Sequence, residues 1–428
     1  MAANELARDI ASAAPGLAAR YRAVREASLR LAAPLETEDY VVQSMPDVSP
    51  AKWHLAHASW FFEQFLLRPR LEGYRVFHPS YEYLFNSYYE AVGPRHARPE
   101  RGLLTRPTVA QILRYRAHVD EHMLQLLGGI EPGQGLAALV ELGMNHEQQH
   151  QELMLTYIMH VLSCNPLEPA YRDDLRASPG PRSAGPVTWT SFDGGLVEIG
   201  TDVGAHFCFD NETPRHSVWL EPFALADRPV TNAEYVEFIR DGGYEHPAHW
   251  LSDGWATVRQ EGWRHPLYWS DGLDSQFTLG GRRELDPTAP VCHLSLYEAH
   301  AFASWAGARL PTETEWERAA AGQPLQGNFV DSGRLEPCAA PDAGGGLRQL
   351  YGDVWEWTGS AYAAYPGFRP AAGAIGEYNG KFMCSQLVLR GGSCATPADH
   401  VRPTYRNFFY PHSRWQFTGV RLARDGIR

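Results

Sequence analysis

GLAALVELGMNHEQQHQELMLTYIMHVL, residues 135–162, decides how the first part of the chain folds. Apolar residues recur at three- and four-residue intervals with no proline between them, which predicts one long helix. His146 and His150 lie at i and i+4, about 40° apart on one face of that helix, so both imidazoles reach a single ion. The same five residues read as H-E-x-x-H, the zinc-peptidase pattern in which Glu147 would be the general base. A second i,i+4 pair, His118 and His122, sits among Arg116, Asp120 and Glu121 and reads as a solvated helix face.

Working outward, three further stretches carry helical periodicity. WHLAHASWFFEQFLL (53–67) follows Ser49-Pro50, with Ser49 expected as N-cap and Pro50 at the first helical position. VAQILRYRAHVDEHMLQLL (109–127) is expected to open near Thr105-Arg106-Pro107 and to end at Gly128-Gly129, and residues 5–31 supply the fourth helix. Four helices suffice for a bundle, whose facing helices can build a metal site. Glu152 falls about 200° around the helix from His150 and does not complete the same face. The third ligand is expected from His54 or His57. Three neutral imidazoles leave about three positions open on an octahedral ion, the histidine counterpart of the triad used by oxygen-activating iron enzymes. A closed structural zinc site takes four protein ligands instead.

Residues 177–187, ASPGPRSAGPV, mark a linker between a helical domain at 1–176 and a second domain at 188–428. Beyond the linker the texture turns to short strand-like runs rich in Gly and Trp. Helical patterns remain at 231–243, at 294–308 and at 312–322. The fold class is therefore α+β. A formal net charge of −12 argues against nucleic acid as a partner. No apolar run approaches the roughly 18 residues that span a bilayer, so no membrane partner is expected. The acid-bearing first residues do not read as a signal peptide. Six cysteines without a CxxC pair favour a reducing, cytoplasmic setting over a disulfide scaffold.

LAH at 55–57, FNSYYEAVGPRHARPERG at 85–102 and HEQQHQE at 146–152 together resemble the ergothioneine-biosynthesis sulfoxide synthases, the EgtB family. Residues 211–239, 308–320, 350–360 and 388–409 independently resemble the formylglycine-generating-enzyme fold. The resemblance covers nearly the whole chain. It implies a DinB-like four-helix bundle followed by a formylglycine-generating-enzyme (C-type-lectin-like) domain that completes the substrate pocket.

The resemblance implies a non-heme iron(II) enzyme with O2 as co-substrate, joining hercynine (N-trimethylhistidine) to L-cysteine. It makes His57, His146 and His150 the iron ligands and leaves His54 a bundle residue. Gln149 would position hercynine. Asn407, Phe408 and Phe409 would hold the carboxylate and trimethylammonium, with a cation–π contribution from the two phenylalanines. The paired aromatics, and the loop Asn86–Glu90, are similar to the branch using free cysteine rather than γ-glutamylcysteine. Tyr88 and Tyr89 would be the catalytic phenols, pointing in different directions, and Arg98 and Arg101 would clamp the thiol substrate's carboxylate, with Arg95 and Arg106 nearby. The alternatives are a selenoneine synthase using a selenosugar, a 5-histidylcysteine sulfoxide synthase, which usually carries a methyltransferase domain, and an H-E-x-x-H metallopeptidase. A copper-dependent formylglycine-generating oxidase would need a close cysteine pair, where 388–409 offers Cys394 alone.

Overall fold

The computed structural model describes residues 16–128, 134–175, 183–204, 206–341 and 346–426. The chain forms two compact units, residues 1–154 and 155–428. The division falls inside a long helix, and residues 177–182 of the expected linker lie outside the described residues.

The first unit is built on α1 (Leu17–Ala32), α2 (Ala51–Phe62), the short α3 (Tyr81–Phe85), α4 (Val109–Gly128) and α5 (Gln134–Ser163). The four long helices are those the periodicity predicts; of the expected N-terminal helix, residues 5–15 lie outside the described residues. Two details differ. The cap of α2 is Pro50, not Ser49: the Pro50 carbonyl accepts from Trp53 N–H and His54 N–H, while the Ser49 hydroxyl accepts from Arg101 at 2.9 Å. And α2 is not half-exposed, because every residue from Ala51 to Phe62 is buried. It is the central helix of its unit, which explains why WHLAHASWFF carries so little polar surface. Gly143 on α5 permits the close approach to α2, since a Cβ there would lie 2.5 Å from the Phe62 ring. α2 runs on through a π-helical turn, Glu63–Leu67, a device common at functional sites.

The second unit carries β1 (Trp189–Phe192), β2 (Gly195–Ile199), β3 (His216–Leu220) and β4 (Phe223–Ala226), then α6 (Asn232–Arg240), α7 (Ser252–Glu261), β5 (Ser275–Thr278) and β6 (Gly281–Glu284). α8 (Leu296–Trp305) and α9 (Glu313–Ala320) follow, then β7 (Trp355–Ala361), β8 (Leu387–Arg390), β9 (Asn407–Phe409), β10 (Thr418–Gly419) and β11 (Ala423–Asp425). Strands pair as β1-β4-β11, β10-β7-β8-β9, β2-β3 and β5-β6, with only the β10–β7 pairing parallel among the described residues. Three helices start at a capping box: Thr231 with Glu234, Ser295 with Glu298 and Thr312 with Glu315, each side chain satisfying a backbone donor of the other. α7 was not anticipated from periodicity; Gly262 closes it in the left-handed conformation at φ 67°. Leu225, Phe223, Trp316, Ala319 and Phe329 form the apolar centre of this unit. No helix among the described residues is long and apolar enough to cross a membrane.

Two buried histidines give this unit a pH dependence. Burial pushes the His293 pKa down to about 3 and that of His400 well below its ordinary value. Both rings are neutral in the fold, but the unfolded chain takes up their protons below about pH 6.5. Stability is thus present at neutral pH and falls as the pH drops from about 6.5 toward the folded values, by about 1.4 kcal/mol per pH unit for each ring. His293 has φ 64°, which asparagine tolerates. Urea midpoints measured between pH 7 and 5 should fall less steeply in His293→Asn than in the natural chain. Equal slopes would mean that His293 does not titrate with unfolding.

Candidate metal centre

His57 on α2 and His146 and His150 on α5 converge. One ring nitrogen from each lies within 4.8 Å of the others. His57 Nε2 and His146 Nε2 are 3.2 Å apart. Two nitrogens bound to one ion at about 2.1 Å each lie roughly 3.0–3.4 Å apart, so this separation suits a shared ion. The His57 Nδ1 is 2.6 Å from the Phe85 carbonyl. The ring nitrogen facing a carbonyl must carry the proton, which leaves the Nε2 lone pair aimed inward.

The electrostatics keep the donors uncharged. Burial pushes the His146 pKa down to about 3, and burial followed by the neighbouring imidazoles pushes His57 and His150 well below their ordinary value. Three neutral imidazoles with converging nitrogens, two buried and His150 half-buried, are a donor set that would fit ferrous iron. His54, the other histidine of the WHLAH segment, is also buried, and its Nδ1 lies 2.8 Å from His150 Nδ1.

Glu147 does not face this cluster. Its carboxylate is buried and accepts hydrogen bonds from Arg25 at 2.9 Å, from Ser28 at 2.5 Å and from Arg116. Burial alone would raise its pKa, but Arg116 and Arg25 overcome that and hold it at about 2. The carboxylate is therefore committed to a buried ion network and held ionised between two guanidinium groups, not placed as a peptidase base beside the histidines. This corrects the expected solvated face around His118. Arg116 is fully buried, Asp120 accepts from Tyr21 and Arg25, and His118 and His122 are half-buried against Tyr74. Glu147→Gln should lower unfolding stability by about 3–5 kcal/mol, because two guanidinium groups lose their buried counter-charge. Urea denaturation measures this; a change below about 1 kcal/mol would mean that the network carries no stability.

The segment 85–102 is more structured than a plain loop. Asn86 accepts from Tyr89 N–H and donates to the Tyr89 and Gly93 carbonyls, closing it on itself. Tyr88 and Tyr89 do not diverge as expected: their rings stack at 4.6 Å with 29° between planes. Tyr89 is fully buried between Trp60 and Phe65, while Tyr88 is half-buried and lines an open cleft of about 570 Å³ with Glu90, Arg95 and Arg98. Arg98 is exposed there, and Arg95 pairs with Glu90. Arg101 is different. Its guanidinium is buried 3.5 Å over the Trp53 ring and donates to Ser49. Arg106 is exposed and donates to the Thr105 carbonyl. Gln149 is half-buried on α5, next to His150.

Asn407, Phe408 and Phe409 form β9, pairing with Leu389, Val388 and Leu387. Strand alternation sends Phe408 and Phe409 to opposite faces, so they do not form one continuous wall. Phe408 stacks on Tyr362 at 4.0 Å with 10° between planes. Asn407 Oδ1 accepts from the Phe408 N–H.

The DinB superfamily profile matches residues 20–154, and the sulfatase-modifying factor enzyme 1-like domain profile matches residues 180–345 and 337–426. A hercynine oxygenase of Mycolicibacterium thermoresistibile is 35% identical over 412 residues, spanning 89% of this chain and 88% of that protein. The chain belongs to the hercynine oxygenase family. The hercynine oxygenase of Mycobacterium tuberculosis is 34% identical over 435 residues, 96% of this chain and 98% of its own length. A formylglycine-generating enzyme of Streptomyces coelicolor is 30% identical over 307 residues, covering 58% of this chain and 93% of that protein.

In this member of the hercynine oxygenase family, sequence reasoning paired His146 with His150 and the resemblance added His57, but neither showed what packs around the three rings. Trp53, His57 and Trp60 lie at i, i+4 and i+7 on α2, and both indoles stack on the His57 ring, at 4.6 Å and 5.4 Å. Arg101 closes the column on the far side of Trp53. The i, i+4, i+7 spacing of W-x₃-H-x₂-W is the signal that could have shown it. The Phe85 carbonyl partner left no such signal, since a backbone acceptor has no sequence signature.

Proposed function

We propose that this chain is an iron(II)- and O2-dependent sulfoxide synthase. It forms the C–S bond between the hercynine imidazole and L-cysteine and yields hercynylcysteine sulfoxide in ergothioneine biosynthesis. The single observation carrying this reading is the convergence of three neutral imidazoles, joined here with membership of the hercynine oxygenase family. The reaction balances with O2 alone. The imidazole C–H and the thiol S–H are lost, C–S and S–O bonds form, and the second oxygen atom leaves as water.

Iron held by His57, His146 and His150 would supply O2 activation and acidify the bound thiol. The remaining work falls to side chains. Gln149 orients hercynine beside His150. Arg98, exposed in the Tyr88 cleft, clamps the cysteine carboxylate bidentately. Arg101, buried on Trp53, steadies the histidine column instead of binding substrate. Tyr88 and Tyr89 supply the proton that directs the reaction to C–S bond formation rather than thiol oxidation. We place the helical domain at 1–176 and the second domain at 188–428, joined by 177–187, acting in the reducing cytoplasm.

The test is an aerobic assay of iron-loaded protein with hercynine and a panel of donors: cysteine, γ-glutamylcysteine and a selenosugar. A product of hercynine plus cysteine bearing one added oxygen is expected to dominate. Preference for the selenosugar would reassign the donor, and no hercynine adduct with any donor would end the reading.

A further inference from the structure

The ligands His57 and His150 have their outward nitrogens met by different partners. His57 Nδ1 faces a backbone carbonyl, at 2.6 Å from Phe85. His150 Nδ1 faces a second imidazole, His54, at 2.8 Å between the two Nδ1 atoms. A carbonyl accepts in one way only. An imidazole can donate or accept, so the His54–His150 contact has a sense that must be worked out.

Two ring nitrogens at that distance need one proton between them. Two bare lone pairs would repel, and two N–H groups would clash. A neutral His150 that turns Nε2 to a metal carries its proton on Nδ1. His54 Nδ1 must then be bare, and the proton of its own neutral ring sits on Nε2. The surroundings hold His54 in place for this. The ring is 3% exposed and lies edge-on to Trp53 at 5.8 Å. Trp53, which also stacks on His57, therefore helps to seat His54.

We infer that His54 is a positioning residue of the metal centre: as the Nε2-protonated neutral tautomer it accepts the His150 Nδ1–H and so presents His150 Nε2 to the ion. This rests on the metal reading given under the proposed function. It gives His54 a task that its place as a buried bundle residue does not require.

Two substitutions and one spectroscopic measurement test it. His54→Asn places an acceptor oxygen near the position of Nδ1, whereas His54→Leu fills the space without one. In anaerobic titrations with cobalt(II) and iron(II), His54→Leu should bind about 10–100-fold more weakly, the usual cost of losing an outer hydrogen-bond partner. His54→Asn should recover most of that affinity. Leucine binding metal as tightly as the natural chain, or asparagine as weakly as leucine, overturns the assignment. Nitrogen-15 histidine NMR of the zinc-loaded natural chain needs no substitution, so it decides even if a variant does not fold. It should show His54 bare at Nδ1 and His150 bound through Nε2, and the reversed tautomer overturns the inference. If the natural chain itself binds neither cobalt nor iron, the metal reading fails and His54 falls with it. If it binds both but the tautomers are reversed, only the role of His54 falls.

Discussion

Alanine at His57, His146 or His150 is expected to abolish turnover and to strip the protein of iron. Each ring supplies one of three donors whose ligating atoms lie within 4.8 Å of one another, and among the described residues no carboxylate joins them to compensate. Losing an outer partner of a ligand costs about 10–100-fold in affinity or activity, and losing the ligand itself should exceed that. Iron content per chain, measured after reconstitution and desalting, gives the direct readout. His118→Ala and His122→Ala serve as the control pair, because those rings pack on Tyr74 away from the ligand set and should leave iron content unchanged. Iron lost from the control pair and kept by the triad variants would mean the wrong pair had been chosen.

Phenylalanine at Tyr88 or Tyr89 should cause the second large loss. The substitution removes a hydroxyl and nearly preserves ring volume, so the stacked pair stays packed. A general acid typically contributes 10²–10⁴-fold, so the phenylalanine variant at the donating position should lose C–S bond formation by about that factor while retaining iron. The sulfoxide-to-oxidised-cysteine ratio should fall with it, since oxygen would then be spent on the thiol. Tyr88 borders the open cleft beside Arg98, whereas Tyr89 is enclosed by Trp60 and Phe65. The larger effect is therefore expected at Tyr88, with Tyr89→Phe acting mainly through the position of its neighbour. Unchanged ratio and rate in both singles and in the double variant would reduce the pair to packing.

How much of this was legible before any coordinates depends on the range of the signal. His146 and His150 are four residues apart on one helix, so periodicity alone placed them together. His57 comes from another helix, and only the resemblance chose it over His54. The structure explains the difficulty: both rings are buried in the same helix and both touch His150. Glu147 was ambiguous for a related reason. The H-E-x-x-H pattern fixes its neighbours but not the direction of its carboxylate, which Arg25 and Arg116 from two other helices determine. Arg116 and Asp120 looked solvated because their partners lie between 31 and 99 residues away in sequence. The capping boxes at Thr231, Ser295 and Thr312 were, by contrast, local and readable. Short strands such as β9 and β10 owe their existence to partners far along the chain, so no window of sequence could place them.

The three-histidine cluster is proposed to hold iron for oxygen-dependent C–S bond formation. Metal-free protein reconstituted separately with iron(II) and zinc(II), then given hercynine, cysteine and ¹⁸O-labelled O2, tests it most directly by mass spectrometry of the product. Iron should restore turnover and one labelled oxygen should appear in the sulfoxide, with zinc inactive. Turnover with zinc, or a hercynine–cysteine product formed without O2, would rule out iron-dependent oxygen chemistry at this cluster.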